Sequence, residues 1–307
     1  MGLLIDGQWH DRWYDTDKSG GRFVREDARF RHWVTADGAP GPDGDGGFAA
    51  APDRYHLYVS LACPWAHRTL IVRALKGLED LIDVSVVSPL MLSQGWTFET
   101  AEGSTGDRVG GRAFMHEVYT AARADYTGRV TVPVLWDRER ETIVSNESAD
   151  IVRMLGSAFD DLTGNTLDLY PTDLRETIDG WNARVYPRGN NGVYRAGFAT
   201  TQAAYEEAFG ELFAELDAID AHLASNRFLA GDRFTEADVR LFTTLVRFDA
   251  VYHGHFKCNR QRLEEFAHLP GYPRELYQLP GVADTVDFAH IKGHYYRSHP
   301  TINPTGV

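Results

Sequence analysis

Of the two cysteines in the sequence, Cys63 is the one set where a thiol can react. It follows Tyr55-His-Leu-Tyr-Val-Ser60, a run rich in aromatic and β-branched residues that reads as a buried strand. After it, Thr69 to Leu75 carries Leu70, Ile71, Ala74 and Leu75 at helical spacing, which predicts a helix. Cys63 is therefore expected at a strand-to-helix turn. Pro64 suits the first helical turn, where its missing N–H removes no internal bond, so the thiol faces the free N–H groups and positive end of the helix. That environment favours the thiolate, which is the nucleophile. The alternative is a small, inert core cysteine, but Trp65, His67 and Arg68 supply a bulky wall and two potentially cationic groups beside the sulfur. Position 66 is Ala66, so a Cys-x-x-Cys cycle is excluded. A one-cysteine cycle must take its second thiol from a small molecule or from far along the chain.

Two downstream features could serve such a cycle. Pro133 interrupts the apolar run Arg129 to Trp136, where a trans proline would forfeit a ladder bond. A cis Val132-Pro133 bond, as in thioredoxin-like folds, would free the preceding backbone to pair with a peptide-like ligand; an edge strand is the alternative. Asn146-Glu147-Ser148 opens a helix expected over Ala149 to Leu155. Glu147 and Ser148 there can simply cap it, or offer a hydroxyl, N–H groups and a carboxylate to the zwitterionic end of a γ-glutamyl ligand.

The elements that must position these residues fall into a mixed first part and a helical second part. Residues 1–54 read as an N-terminal extension with a short strand and turn around Leu3 to Trp9, another strand over Phe30 to Val34, and a Gly/Pro/Asp loop from Gly38 to Gly47. Asp43-Gly-Asp45-Gly is no calcium loop, because its twelfth position is Arg54 instead of Glu. A first domain spans 55–156: after the Cys63 helix, Ile82 to Ser88 is a second strand, parallel to the first, and Glu141 to Val144 closes a hairpin through Asp137 to Arg140. Residues 89–128 form a long insertion within it. A linker over 157–171 precedes a helical domain at 172–307. Its helices are expected at Leu174 to Val185, Thr200 to Ala224, Thr235 to Phe248, Leu263 to His268, Tyr272 to Gln278 and Asp287 to Tyr295. Thr235-Glu-Ala-Asp238 is a capping box, which makes Asp238 structural. Asn190 to Phe198 reads as a Gly-punctuated loop carrying Tyr194.

With 31 basic against 44 acidic residues, the formal charge of −13 argues against nucleic acid or an anionic membrane as partner. Two cysteines in 307 residues fit a reducing cytosol, and neither a signal peptide nor a membrane span is expected. His253, His255 and Cys258 have no matching fourth ligand, so no metal is expected. Tyr194, Tyr252, Tyr295 and Tyr296 have side chains suited to binding an aromatic phenol and donating a phenolic proton, with core packing as their alternative.

Together these motifs resemble the glutathione transferase superfamily and, more narrowly, its xi class, the glutathionyl-hydroquinone reductases. The likeness runs from Asp6-Gly-x-Trp9 to Ile302-Asn-Pro304. It rests on Cys63-Pro-Trp-Ala-His-Arg, Gly95-Trp96, Thr131-Val-Pro-Val-Leu-Trp-Asp, Asn146-Glu-Ser, Asn191-Gly-Val-Tyr-x-Ala-Gly-Phe, Tyr252-His-x-His-Phe-Lys-Cys-Asn and His290-Ile-Lys-x-His-Tyr-Tyr. The resemblance implies an α/β plus all-α chain: a thioredoxin-like N-terminal domain followed by an all-helical glutathione-transferase C-terminal domain. It also implies a homodimer, glutathione as co-substrate, and reductive removal of glutathione from glutathionyl-hydroquinones. Trp96, Arg129, Val132, Pro133, Glu147 and Ser148 would then contact glutathione. Cys63, Tyr194 and Tyr295 would carry the chemistry, and Tyr252 and Tyr296 would bind the hydroquinone. An omega-like thioltransferase or dehydroascorbate reductase needs Cys63 and the glutathione contacts without the tyrosines. A non-catalytic ligand carrier needs neither.

Overall fold

The structure, a computed structural model, describes residues 2–307. The chain forms two compact units. The first comprises residues 2–13, 26–167 and 284–294, and the second comprises 14–25, 168–283 and 295–307. The first 54 residues are thus not a separate extension. Their ends belong to the first unit, while residues 14–25 belong to the second.

In the first unit, β1 (Leu3–Ile5) and β2 (Gln8–His10) form a hairpin through Asp6 and Gly7, both at positive φ, the backbone that a two-residue turn of this hand needs. The central strand β3 (Tyr55–Val59) is buried throughout, as its aromatic and β-branched composition requires. It feeds α1 (Pro64–Leu75), whose crossover returns the chain to β4 (Asp83–Val86), parallel to β3. α2 (Met115–Ala122) gives the 89–128 segment a helix of its own. β5 (Gly128–Arg129) then pairs with β1, so the N-terminal hairpin completes a three-stranded sheet in the order β2-β1-β5. β6 (Val134–Asp137) and β7 (Thr142–Ser145) form the expected hairpin and extend the main sheet to β4-β3-β6-β7. α3 (Ser148–Ser157) packs on α1. α4 (Asp160–Thr163) occupies the segment expected to be a plain linker.

Phe30 to Val34 does not form a strand. It makes only an isolated bridge, Arg31 to Ser145, because the Asn146 side chain takes the Phe30 N–H at 3.1 Å in place of a continuing ladder.

The second unit is helical: α5 (Arg175–Val185), α6 (Gly192–Gly197), α7 (Gln202–Leu223), α8 (Glu236–Arg247), α9 (Gly271–Tyr277) and the end of α10 (Phe288–Ser298), whose first seven residues belong to the first unit. Asp238 caps α8 as the motif predicts, accepting from Thr235 N and Thr235 Oγ1 and also from Leu229 N and Tyr272 Oη. The stretch expected as a loop over Asn190 to Phe198 is instead a π-helical turn, Tyr186–Asn190, running into α6. The misleading signal was Gly197. A Cβ there would lie 2.2 Å from the Phe256 ring, so this glycine serves close packing within a helix and does not break one. A second π-turn, Phe248–Tyr252, extends α8, and only Leu263–Glu265 of the expected 263–268 helix forms, as a 3-10 turn. Among the described residues no helix is long and apolar enough to cross a membrane.

Two buried histidines set a pH limit on this fold. His56 on β3 receives a hydrogen bond at Nδ1 from Arg138 Nη2 (3.0 Å), so its proton sits on Nε2, 2.8 Å from Ser85 Oγ. Burial, followed by the Arg138 charge, pulls His56 down to about 4, and burial does the same to His255. Both folded values lie below the unfolded one, so the unfolded state binds more protons between about pH 4 and 6.5. Stability should be full above about pH 6.5 and fall as the pH is lowered towards 4, by on the order of 3 kcal/mol per histidine. Urea midpoints across that range should fall less steeply in His56→Gln than in the wild type.

Candidate active site

In the first unit the chain turns from β3 through Ser60, whose carbonyl accepts the Cys63 N–H at 3.1 Å, and Cys63 becomes the N-cap of α1 with Pro64 in the first turn. The first N–H groups of a helix have no partner within it, and they give its start a partial positive charge. Cys63 sits at that end, 9% exposed as a residue, with its thiol directed to the Val132 carbonyl at 3.5 Å. The Val132-Pro133 bond is cis, as the sequence led us to expect. Glu147 is the N-cap of α3, its Oε1 accepting the Ala149 N–H at 2.9 Å. Ser148 Oγ lies 3.4 Å from Glu147 Oε1 and 3.4 Å from Nη1 of Arg68, a buried residue of α1 whose guanidinium covers the Trp65 ring at 4.4 Å. Cys63 and Val132 are thus in direct contact, and Ser148 meets α1 through Arg68.

The other two candidate glutathione contacts are tied elsewhere in the same unit. Trp96 is buried and stacks on His294 (centroids 4.8 Å, 25°). A carbonyl oxygen only accepts, so the 2.9 Å contact of His294 Nδ1 with Pro89 O places the histidine proton on Nδ1. Arg129 donates from Nη1 and Nη2 to the carbonyls of Arg12 and Trp13, and so holds the N-terminal segment.

In the second unit, three tyrosines meet at their hydroxyls. Tyr295 Oη is hydrogen-bonded to Tyr194 Oη and, at 3.0 Å, to Tyr252 Oη. Tyr252 and Tyr295 have no exposed surface and Tyr194 is 7% exposed. Burial raises Tyr252 and Tyr295 well above the usual phenol range, which keeps both protonated as donors at neutral pH. Tyr252 begins a stack of four rings, in the order Tyr252, Phe256, His299, His255, with interplanar angles of 12°, 21° and 23°. Tyr295 stands edge-on to all four. Tyr296 lies outside the hydroxyl cluster, donating to Ala250 O at 3.2 Å. Cys258 is buried, and burial pushes its thiol far up, which suits an inert core residue. Among the described residues no group of three His, Cys, Asp or Glu side chains is arranged to hold a metal ion.

Matches to two domain descriptions decide the family: "Glutathione S-transferase, N-terminal domain" over residues 62–158 and "Glutathione S-transferase, C-terminal domain" over 202–274. The chain belongs to the glutathione transferase family, in its xi class. The glutathionyl-hydroquinone reductase YqjG of Escherichia coli is 58% identical over all of this chain and 94% of its own length. Its glutathione-bound structure superposes with a TM-score of 0.93 at 54% identity, covering 100% and 94% of the two chains. The glutathionyl-hydroquinone reductase PcpF of Sphingobium chlorophenolicum is 53% identical over 100% of this chain and 95% of its own. The xi-class transferase of Natrialba magadii superposes with a TM-score of 0.90 at 49% identity, covering 100% and 92%.

The sequence reading set Arg68 beside the Cys63 sulfur without its contacts to Ser148 and Trp65, and gave no role to His294, which stood inside the His290 motif. Arg25, whose guanidinium covers the Tyr194 ring, had no sequence signal at all.

The hydroxyl cluster has a stability signature. Tyr295→Phe removes a fully buried hydroxyl that is bonded to both Tyr194 and Tyr252, at a cost of about 1–3 kcal/mol. Tyr296→Phe removes one part-buried bond and should cost about 1 kcal/mol or less. Urea denaturation of the two variants should separate them in that order.

Proposed function

We propose that this enzyme removes glutathione from glutathionyl-hydroquinones through a mixed disulfide on Cys63, with a second glutathione as reductant. The observation that carries the reading is the single thiol held at the start of α1, in a chain whose full length matches the glutathionyl-hydroquinone reductases. The Cys63 thiolate attacks the sulfur of the glutathionyl substituent, and an S–S bond forms as the C–S bond breaks. The C–S electron pair stays on the aromatic carbon, which takes a proton from a phenol of the tyrosine cluster. A second glutathione then attacks the mixed disulfide through its thiolate, releasing glutathione disulfide and the Cys63 thiolate, and its proton restores the phenol. A carbon leaving group is poor without acid assistance, which is the chemical reason for protonated tyrosines in this reaction.

Within that reading, Glu147 takes the ammonium of the γ-glutamyl end, and Ser148 with the N–H groups at the start of α3 takes its carboxylate. The Val132 backbone, next to Pro133, pairs with the peptide part of glutathione, and Trp96 and Arg129 are further contacts. Tyr194 and Tyr295 serve the proton transfer. Tyr252 binds the hydroquinone, and Tyr296 lies at the edge of its site. The working form is a cytoplasmic homodimer, which would sediment at twice the 34.4 kDa of the chain.

Turnover of glutathionyl-menadiol with excess glutathione, followed beside thiol transfer from a small glutathione mixed disulfide, tests these roles. Cys63→Ser should abolish both reactions. Tyr194→Phe and Tyr295→Phe should lower menadiol release about 100-fold and leave disulfide transfer within about twofold of wild type. Equal loss of both reactions in the tyrosine variants would favour a general thioltransferase in which the phenols only support the fold.

A further inference from the structure

Residues 14–25, read from sequence as part of an extension, bring a cation to the tyrosine cluster of the second unit. The Arg25 guanidinium lies over the Tyr194 ring, its carbon 4.7 Å from the centroid. Asn191 and Phe23 help hold it there. Nε donates to the neutral amide oxygen of Asn191 at 2.9 Å, the Phe23 ring lies 5.2 Å away, and Phe23 is itself packed on Phe198 at 5.2 Å.

We infer that Arg25 is a positioning residue that makes Tyr194 the proton donor of the cluster, by stabilising the negative charge its ring gains as the proton leaves. The inference rests on the function proposed above and adds to it which phenol ionises and why. Tyr194 alone of the three retains any exposed surface, while Tyr252 and Tyr295 are sealed. Burial penalises a phenolate most where no surface is left. The hydroxyl contacts allow one continuous relay, with Tyr252 donating to Tyr295 and Tyr295 donating to Tyr194, so both sealed phenols stay protonated and the last oxygen collects the charge. A cation over an aromatic face is drawn to its negative quadrupole. That attraction grows when the ring becomes a phenolate, so the contact stabilises the transition state more than the ground state.

The proton balance is complete. Tyr194 Oη–H goes to the aromatic carbon from which sulfur departs, the former C–S pair becomes the C–H bond, and the phenolate regains its proton from the thiol of the incoming glutathione.

The test uses full-length wild type, Arg25→Lys, Arg25→Gln and Arg25→Met, each also in a Tyr194→Phe background. Steady-state menadiol release from glutathionyl-menadiol is measured with disulfide transfer as the parallel reaction. Arg25→Gln and Arg25→Met should lower kcat for menadiol release roughly five- to thirty-fold with little change in KM, and Arg25→Lys should recover most of it. In the Tyr194→Phe background the same substitutions should add no further loss, and disulfide transfer should be unaffected throughout. Wild-type kcat in Arg25→Gln, an equal additional loss on top of Tyr194→Phe, or no recovery with lysine would overturn the inference. A wild-type enzyme that releases no menadiol would instead overturn the function on which it rests. Should Arg25→Met fail to fold, the lysine-against-glutamine comparison still separates charge from packing.

Discussion

The proposed chemistry depends on where one sulfur is held. Cys63 ends the turn that follows the central strand and begins α1, so its position is fixed by backbone on both sides and by the Val132 carbonyl across from it. Sheet order β4-β3-β6-β7 puts β3 in the interior, and the fully buried β3 cannot slip in register without exposing its apolar residues. At the helix start the sulfur faces the partial positive charge of the free N–H groups. With Ala66 in the chain there is no Cys-x-x-Cys partner for that thiol.

The proposed reaction asks the second unit for protons held where water cannot compete. Burial raises Tyr252 and Tyr295 far enough that they remain donors at any physiological pH, and their hydroxyls are joined to that of Tyr194. A four-ring stack fixes the orientation of Tyr295, and within it His255 stays neutral, because burial holds it near 4. Both π-helical turns of this unit adjoin the cluster: one carries Tyr252, and the other leads into α6 and Tyr194. Asn190, at the end of the latter turn, donates to Arg240 O and Thr244 Oγ1 of α8 and so fixes α6 by its start. π-Turns of this kind often mark functional sites.

Much of this was legible in the sequence where local chemistry decides local structure. The strand, Cys63, Pro64 and helix succession, the parallel β3–β4 pair, the β6–β7 hairpin, the Glu147 cap and the Thr235–Asp238 box all follow from propensity, capping and turn rules that act within a few residues. Failures arose where a distant group decides. Phe30 to Val34 carries a strand-like composition, but the Asn146 side chain occupies its backbone. Gly192 and Gly197 suggested a loop because no sequence rule reveals that Phe256 requires the space beside Gly197. Tyr295 and Tyr296 are adjacent and chemically identical. Only the direction each takes from α10 puts Tyr295 among the hydroxyls and Tyr296 against Ala250. Arg25 was invisible for the same reason, since its partners Asn191 and Tyr194 lie far along the chain.

A single-turnover experiment without free glutathione tests the central claim most directly. Enzyme is mixed with a slight excess of glutathionyl-menadiol, and menadiol release and the mass of the protein are followed together. The account predicts one equivalent of menadiol per chain and one glutathione added at Cys63, both completed before any second thiol is supplied. Menadiol that appears only after glutathione is added, with Cys63 unmodified beforehand, would contradict it.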